Sequence, residues 1–358
     1  MKTLQNILGS TAVALALIAA PGLAPPASAA LIDPTDPNLA QYSLQYGDVT
    51  VISLGWASTI SGSAYYVPSS PGQIRDAVVV GTGAGGTFYN DGTQAMDMPY
   101  ATPTGHGAAP YFQTGNAISA PDPGGAGQFA GDGANSWDSS IAALNTAMGG
   151  QKAVFYFNLN ETGTANLLSG TDLLLWAKLT LTSSNGLAAQ DFYLAGNPFD
   201  PAGAMNGKNL SIANGGPDPT IVTADNLSNL DARWSYVHGD ICVNGTTFIS
   251  YGACGQSAPA GSQTINQNLG ANQAAFAAYN ATLNSLIQNP CGTFGGVTGC
   301  YDQLHIDWRM SSLDNGYEQL FIASTATTVT VPEPGVLALL GIGLVGLGVS
   351  RRARGTKG

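Results

Sequence analysis

A mainly β fold, with sandwich-like antiparallel sheets and one or two docked helices, is what this sequence predicts, and three observations predict it. Charged residues are only 9% of the chain, too few for long solvent-facing helices, while 47 Gly and 20 Pro supply turns. Apolar alternation recurs, most clearly in 303–310, where Leu304, Ile306, Trp308 and Met310 fall on one face and Gln303, His305, Asp307 and Arg309 on the other. The body's acids are almost all aspartate, 19 Asp against Glu161 and Glu318, and aspartate is a turn former and a ligand for hard cations.

In chain order, the first element is an export signal. Residues 1–30 carry Lys2 as their only basic side chain, an apolar run over 11–20, Pro21, and the small-residue end Ala27-Ser28-Ala29. That is a secretory signal peptide spanning 1–29, with Ala27 and Ala29 forming the A-x-A cleavage site. A permanent N-terminal anchor would need a longer apolar run.

Residues 31–330 form a body long enough for one large domain or two small ones, with halves at 31–135 and 136–330 if the Gly- and Pro-rich stretch 99–135 is a boundary. Its 21 acidic and six basic residues leave a net charge of −15, which makes nucleic acid and anionic membrane surfaces poor partners. Strands are expected over 49–54, 152–159, 172–182, 234–243, 246–251, 303–310, 318–324 and 327–331. Helices are expected over 136–148, with Ser136 as candidate cap and Ile141, Leu144 and Met148 at helical spacing, and over 272–288. The second carries a stripe of Phe276, Tyr279, Leu283, Leu286 and Ile287 and is stopped by Pro290.

Four cysteines, Cys242, Cys254, Cys291 and Cys300, are read as disulfides in an exported chain. Short loops favour Cys242 with Cys254 and Cys291 with Cys300. The rival is a metal site, since His238 lies four before Cys242 and His305 five after Cys300. Gly81-Thr82-Gly83-Ala84-Gly85-Gly86 formally matches a dinucleotide fingerprint, but Asn90-Asp91-Gly92 follows where a helix should start, so a glycine-rich hairpin or bulge is the better reading.

Motifs for hydrolysis are absent: there is no GxSxG and no HExxH. His106, His238 and His305 are isolated in sequence, and Asp97, Asp132, Asp138 and Asp307 could supply an acid and base pair only at a separation that sequence does not give. The chain is therefore expected not to be an enzyme and to need no cofactor. Calcium is the metal candidate, on Asp132, Asn135 and Asp138, three oxygen ligands on one turn; an Asx-rich turn capping the following helix competes. Tyr65 and Tyr66, next to Pro68 and turn residues, are the rings to watch for stacking on a sugar, although most aromatics in alternating strands face inward.

The last 28 residues, 331–358, have three parts. Pro332, Glu333 and Pro334 make a rigid, non-helical joint. Residues 336–349 follow without a charge or polar side chain, a transmembrane segment short of the roughly 20 residues a full span takes. Arg351, Arg352, Arg354 and Lys357 then hold that end on the cytoplasmic side. Joint, apolar run and basic end in this order resemble the PEP-CTERM sorting signal of Gram-negative bacteria that make extracellular polysaccharide. The resemblance implies that exosortase, a membrane-embedded transpeptidase, is a partner, that Pro332, Glu333 and Pro334 form its recognition and cleavage sequence, with Arg351 and Arg352 in the matching basic finish, and that the inner membrane holds the precursor only transiently. The body also resembles uncharacterised PEP-CTERM proteins in NLGANQAAFAAYNATL and DNGYEQLFI. An exported, non-enzymatic component of the cell surface or of a biofilm's exopolysaccharide matrix is the leading expectation. A carbohydrate-binding β-sandwich is second, and a secreted glycan hydrolase third.

Overall fold

A computed structural model of the chain describes residues 32–61, 65–70, 73–74, 77–83, 90, 95–102, 111–114, 136–162, 171–194, 235–311, 313 and 318–325. The signal peptide with Ala27 and Ala29, His106, Asp132 and Asn135, the strand expected at 327–331, and the tail with Pro332, Glu333, Pro334, Arg351 and Arg352 lie outside these residues. The described residues fall within one unit, Ala29–Val331.

The architecture is mainly β, built of antiparallel sheets with few helices. Strands β1 (Ser43–Tyr46), β2 (Val49–Ser53), β3 (Val78–Thr82), β4 (Tyr100–Ala101), β5 (Tyr111–Gln113) and β6 (Trp137–Ser140) come first, with short helices α1 (Pro37–Ala40) and α2 (Leu54–Ser61) among them. Helix α3 (Ile141–Ala147) leads into β7 (Ala153–Phe157), β8 (Leu173–Thr182), β9 (Gln190–Leu194), β10 (Ser235–Val237), β11 (Asp240–Asn244), β12 (Thr247–Tyr251) and β13 (Gln263–Asn266). Strand β14 (Phe276–Tyr279), helix α4 (Ala281–Gln288), the hairpin β15 (Cys291–Phe294) and β16 (Val297–Cys300), then β17 (Gln303–Ser311) and β18 (Leu320–Ser324) complete the order.

Seven strands form one sheet in the order β1-β2-β14-β7-β18-β3-β4, antiparallel except for the β3–β4 pair. Residues before 136 and after it share this sheet. A second sheet centres on β8 and β17, which pair over nine residues from Gln303↔Thr182 to Ser311↔Leu174. Strands β9 and β10 extend it beyond β8, and β5 and β6 beyond β17. A three-stranded sheet, β12-β11-β13, and the β15–β16 hairpin stand apart.

Side-chain parity explains the packing. In β17 the residues Leu304, Ile306, Trp308 and Met310 are all buried, as alternation predicts. Strands β7 and β18 are instead buried throughout, because the seven-stranded sheet is apolar on both faces. Phe155, Phe157, Leu320 and Ile322 join one hydrophobic cluster with Leu175, Leu179, Ile306 and Trp308 of the second sheet. Val154, Tyr156, Phe321 and Ala323 join another with Tyr42, Trp56, Ile241 and Ile265.

Three expected elements are corrected. The helix expected over 136–148 begins only at Ile141, because Trp137–Ser140 pairs with β17; Ser140, not Ser136, caps it, accepting from Ala143 N at 3.1 Å. The helix expected over 272–288 is two elements. Phe276–Tyr279 is a strand between β2 and β7, and the helix starts at Ala281, capped by Asn280 with 2.7 Å to Leu283 N. Backbone partners on both sides and apolar contacts on both faces outweigh the helix propensity of its alanines. The strand expected over 234–243 is broken at His238 and Gly239, where Gly239 N donates to Asp172 Oδ1 at 2.8 Å; Trp234 lies outside the described residues. A Cβ at Gly239 would meet Thr171 Oγ1 at 1.6 Å, so the break needs glycine.

Candidate functional site

Two arrangements carry chemistry, on opposite faces of β17. On the outward face a polar row crosses three strands. His305 Nδ1 lies 2.7 Å from Asp138 Oδ1 on β6, and its Nε2 lies 2.9 Å from Thr182 Oγ1 on β8. A carboxylate only accepts, so Nδ1 carries the proton, and the threonine hydroxyl can serve Nε2 as donor or as acceptor. Asp138 is fully buried, and it also accepts from Ser136 Oγ at 2.7 Å while its own N–H donates to Asp97 Oδ2 at 2.8 Å. The order hydroxyl, imidazole, carboxylate is that of nucleophilic catalysis. It is also what a sheet produces when polar residues stand side by side, since His305 pairs directly with Asp138 and with Thr180, two residues from Thr182 on the same face. Further along the same face, Asp307 accepts two bonds from Arg309, 2.9 and 2.7 Å, and the guanidinium lies 5.1 Å from the centre of the Trp176 ring.

Behind β8 and β17 lies a cavity of about 110 Å³, walled by the seven-stranded sheet through Val51, Phe157 and Phe276 and by the second sheet through Leu175, Ala177 and Trp308. Register fixes which side chains meet it. Ser235 pairs with Leu175, and Trp308 with Ala177, so all four share the inward face. Ser235 and Trp308 are 3% and 1% exposed, and neither Ser235 Oγ nor Trp308 Nε1 has a hydrogen-bond partner among the described residues. Among the described residues no Asp, Glu, Lys or Arg lines the cavity.

At one side of the cavity stand Tyr46, Tyr251 and His238. Burial pushes the Tyr46 phenol up to about 12, and a hydrogen bond with Tyr251 pulls the other way. The His238 ring stacks on Tyr251 with centroids 4.2 Å apart, and its Nδ1 is 3.3 Å from Asp172 Oδ2. Burial, and then the charge of Asp172, raise the Asp240 carboxyl.

The residues expected from sequence fare unequally. The structure joins Cys242 to Cys254 and Cys291 to Cys300, with no free cysteine. Of the calcium trio only Asp138 is described, and its carboxylate is engaged by His305 and Ser136. Among the described residues no group of three or more His, Cys, Asp or Glu is placed to hold a metal ion. Tyr65 packs against the cluster around Trp56, and the Tyr66 hydroxyl donates to Asn272 O at 3.3 Å; both rings are half-buried. Gly81 and Thr82 continue β3, and the register shifts opposite them between Leu320 and Phe321, as at a bulge. Sequence reading missed the Thr182–His305–Asp138 row and the cavity. Alternation places His305 outward in the sequence, but the helix expected over 136–148 takes Asp138 off the sheet.

Together these features define a β-rich, doubly disulfide-linked body. The chain belongs to the family described as a domain of unknown function, DUF8239, whose model matches residues 34–309. A second model, the PEP-CTERM protein-sorting motif, matches residues 330–352. That motif is the kind of signal exosortase recognises, and it implies export and membrane anchoring of the precursor. Among the described residues no helix is long and apolar enough to cross a membrane. No curated protein and no solved structure matches the chain.

Proposed function

We propose that the body is a non-enzymatic component of the cell surface or extracellular matrix, freed or retained by processing at its tail, that adds bulk and adhesion within exopolysaccharide. The observation that carries this reading is the sorting motif at 330–352, set directly behind a single family domain at 34–309. The fold is a sandwich of the two large sheets, a reading supported by the cluster that mixes Phe155 and Leu320 with Leu175 and Ile306. Two short disulfide loops suit an oxidising exterior. Asp307 clamped by Arg309, and Asp138 held by His305 and Ser136, favour this reading over a glycan hydrolase, which needs one free acid and one free base. The half-buried Tyr65 and Tyr66 likewise favour it over a sugar-stacking module.

The test is the C-terminal mass of the mature protein from its own host, with the exosortase gene intact and deleted, together with its recovery in the polysaccharide fraction. A chain ending near Pro332 to Pro334 only when the enzyme is present, and found with the polysaccharide, is the expected result. A chain that keeps Arg351 and Arg352 in both strains would make the tail a plain anchor and overturn the matrix assignment. Reducing-end release from a glycan would install the hydrolase instead.

A further inference from the structure

We propose that the inter-sheet cavity is a binding site for a small, neutral, largely apolar molecule bearing one hydroxyl or carbonyl oxygen, with Ser235 and Trp308 as its hydrogen-bonding anchors. The inference goes beyond the matrix assignment and does not depend on it.

Three properties of the cavity select this ligand class. Its lining holds no Asp, Glu, Lys or Arg among the described residues, and its walls are mostly aromatic and aliphatic groups such as Val51, Phe157, Phe276, Leu175 and Ala177, with His238 at one side. A charged ligand would lose its hydration there with no carboxylate, ammonium or guanidinium to compensate it, whereas an alkyl or ring ligand gains by each part of its surface that it removes from water. Size comes second. At about 110 Å³ the cavity is somewhat smaller than the roughly 150 Å³ apolar cavities known to hold benzene. A six-carbon chain or a single ring fits that space, and a glycan does not. The third property gives the oxygen. Ser235 Oγ and Trp308 Nε1 are buried without a partner among the described residues, in a wall that is mostly apolar. Folding tolerates such groups rarely, because each gives up its hydrogen bond to water while unpaired. An indole N–H can only donate, so what completes Trp308 must be an acceptor, and the Ser235 hydroxyl can donate to the same class of oxygen or accept from its hydrogen.

The anchors stand on the rigid part of the fold. Trp308 is in the middle of β17, held between Phe112 and Phe157 at centroid distances of 4.7 and 6.1 Å, and its six-membered ring presses on Gly81 of β3. Ser235 opens β10 directly opposite Leu175.

The experiment measures binding of 1-hexanol to the mature protein, purified from its host without detergent, by titration calorimetry, with hexylamine, cationic at neutral pH, as the charged control. Saturable one-to-one binding of hexanol, at least tenfold tighter than hexylamine, is the expected result. Ala177→Leu, which fills the cavity from the β8 wall, should abolish binding. Ser235→Ala, a change too small to threaten folding, should weaken hexanol about fivefold while leaving binding of benzene, which has no oxygen, unchanged. Three results would each overturn the proposal: no saturable hexanol binding to the folded wild-type protein, binding that Ala177→Leu leaves intact, or equal loss of hexanol and benzene in Ser235→Ala. Circular dichroism and melting of each variant confirm that it is folded, so that absence of binding reports on the cavity.

Discussion

Asp138 accepts hydrogen bonds from Ser136 and His305 while fully buried, so removing its carboxylate strands two donors at once. Asp138→Ala is expected to lower stability by on the order of 2–3 kcal/mol, measured by urea unfolding, with His305→Ala costing less because Asp138 keeps its other partners. A loss under about 0.5 kcal/mol would mean that the row is solvated and structurally idle. Gly81 makes the opposite case, one of space. A Cβ there would lie 2.3 Å from Trp308 Cζ3, and the ring is already wedged between Phe112 and Phe157. Gly81→Ala should cost about 1–3 kcal/mol by overpacking, visible as a lower melting temperature, and should quench or shift the fluorescence of the buried indole. Neither position announces its role in sequence. Asp138 reads as a calcium or cap residue, and Gly81 as part of a glycine-rich turn, because their partners come from strands about 165 to 230 residues away that only the register brings together.

At the level of elements, legibility followed how strictly one period was enforced. Strand β17 was readable because its inward face is wholly apolar and its outward face wholly polar, and β8 because a ten-residue β-rich run admits no helical stripe of comparable quality. Strand β14 was not readable. Phe276-Ala277-Ala278-Tyr279 fits a helical stripe and an alternation equally well, and burial on both faces of the seven-stranded sheet removes the polar positions that would have marked its period. The cysteines were readable from the export signal and their short spacings, and their effect is correspondingly local. Cys291 and Cys300 face each other across the β15–β16 hairpin, and Cys242 of β11 ties down the chain just after β12 at Cys254. With loops of 12 and 9 residues, chain entropy assigns each bridge on the order of 2–3 kcal/mol. Replacing Cys242 and Cys254 by Ser should therefore lower the unfolding midpoint more than the Cys291 and Cys300 pair does. The first bridge reaches Cys242, completely buried beside Val243 in the core, whereas the second closes an exposed hairpin. Peptide mapping without and with reductant checks the pairing itself, and four free thiols in the exported protein would contradict it.

Across the whole molecule, ionisation sets a boundary on the alkaline side. The seven-stranded sheet carries Tyr156 in its interior and Tyr46 at its β1 edge, and burial raises both phenols, Tyr46 to about 12 and Tyr156 further. Tyr279, on β14 of the same sheet, is raised as well, first by burial and then by the charge of Asp33. A phenol is neutral when protonated, so a raised folded pKa means that the native state holds the proton more tightly than the unfolded chain, whose tyrosines titrate near 10. The stability these groups contribute is therefore intact below about pH 10 and is lost as pH rises from there through about 12. Melting temperature measured from pH 8 to pH 12 should stay flat to about 10 and then fall steeply, with cooperative unfolding close to the upper end. Tyr156→Phe removes one titrating group while keeping its ring against Phe321, 5.2 Å away and stacked, so it should shift the descent to higher pH without lowering stability at pH 8. A descent that begins well below pH 10, or one that Tyr156→Phe leaves unmoved, would show that the sheet opens by another route before its phenols ionise.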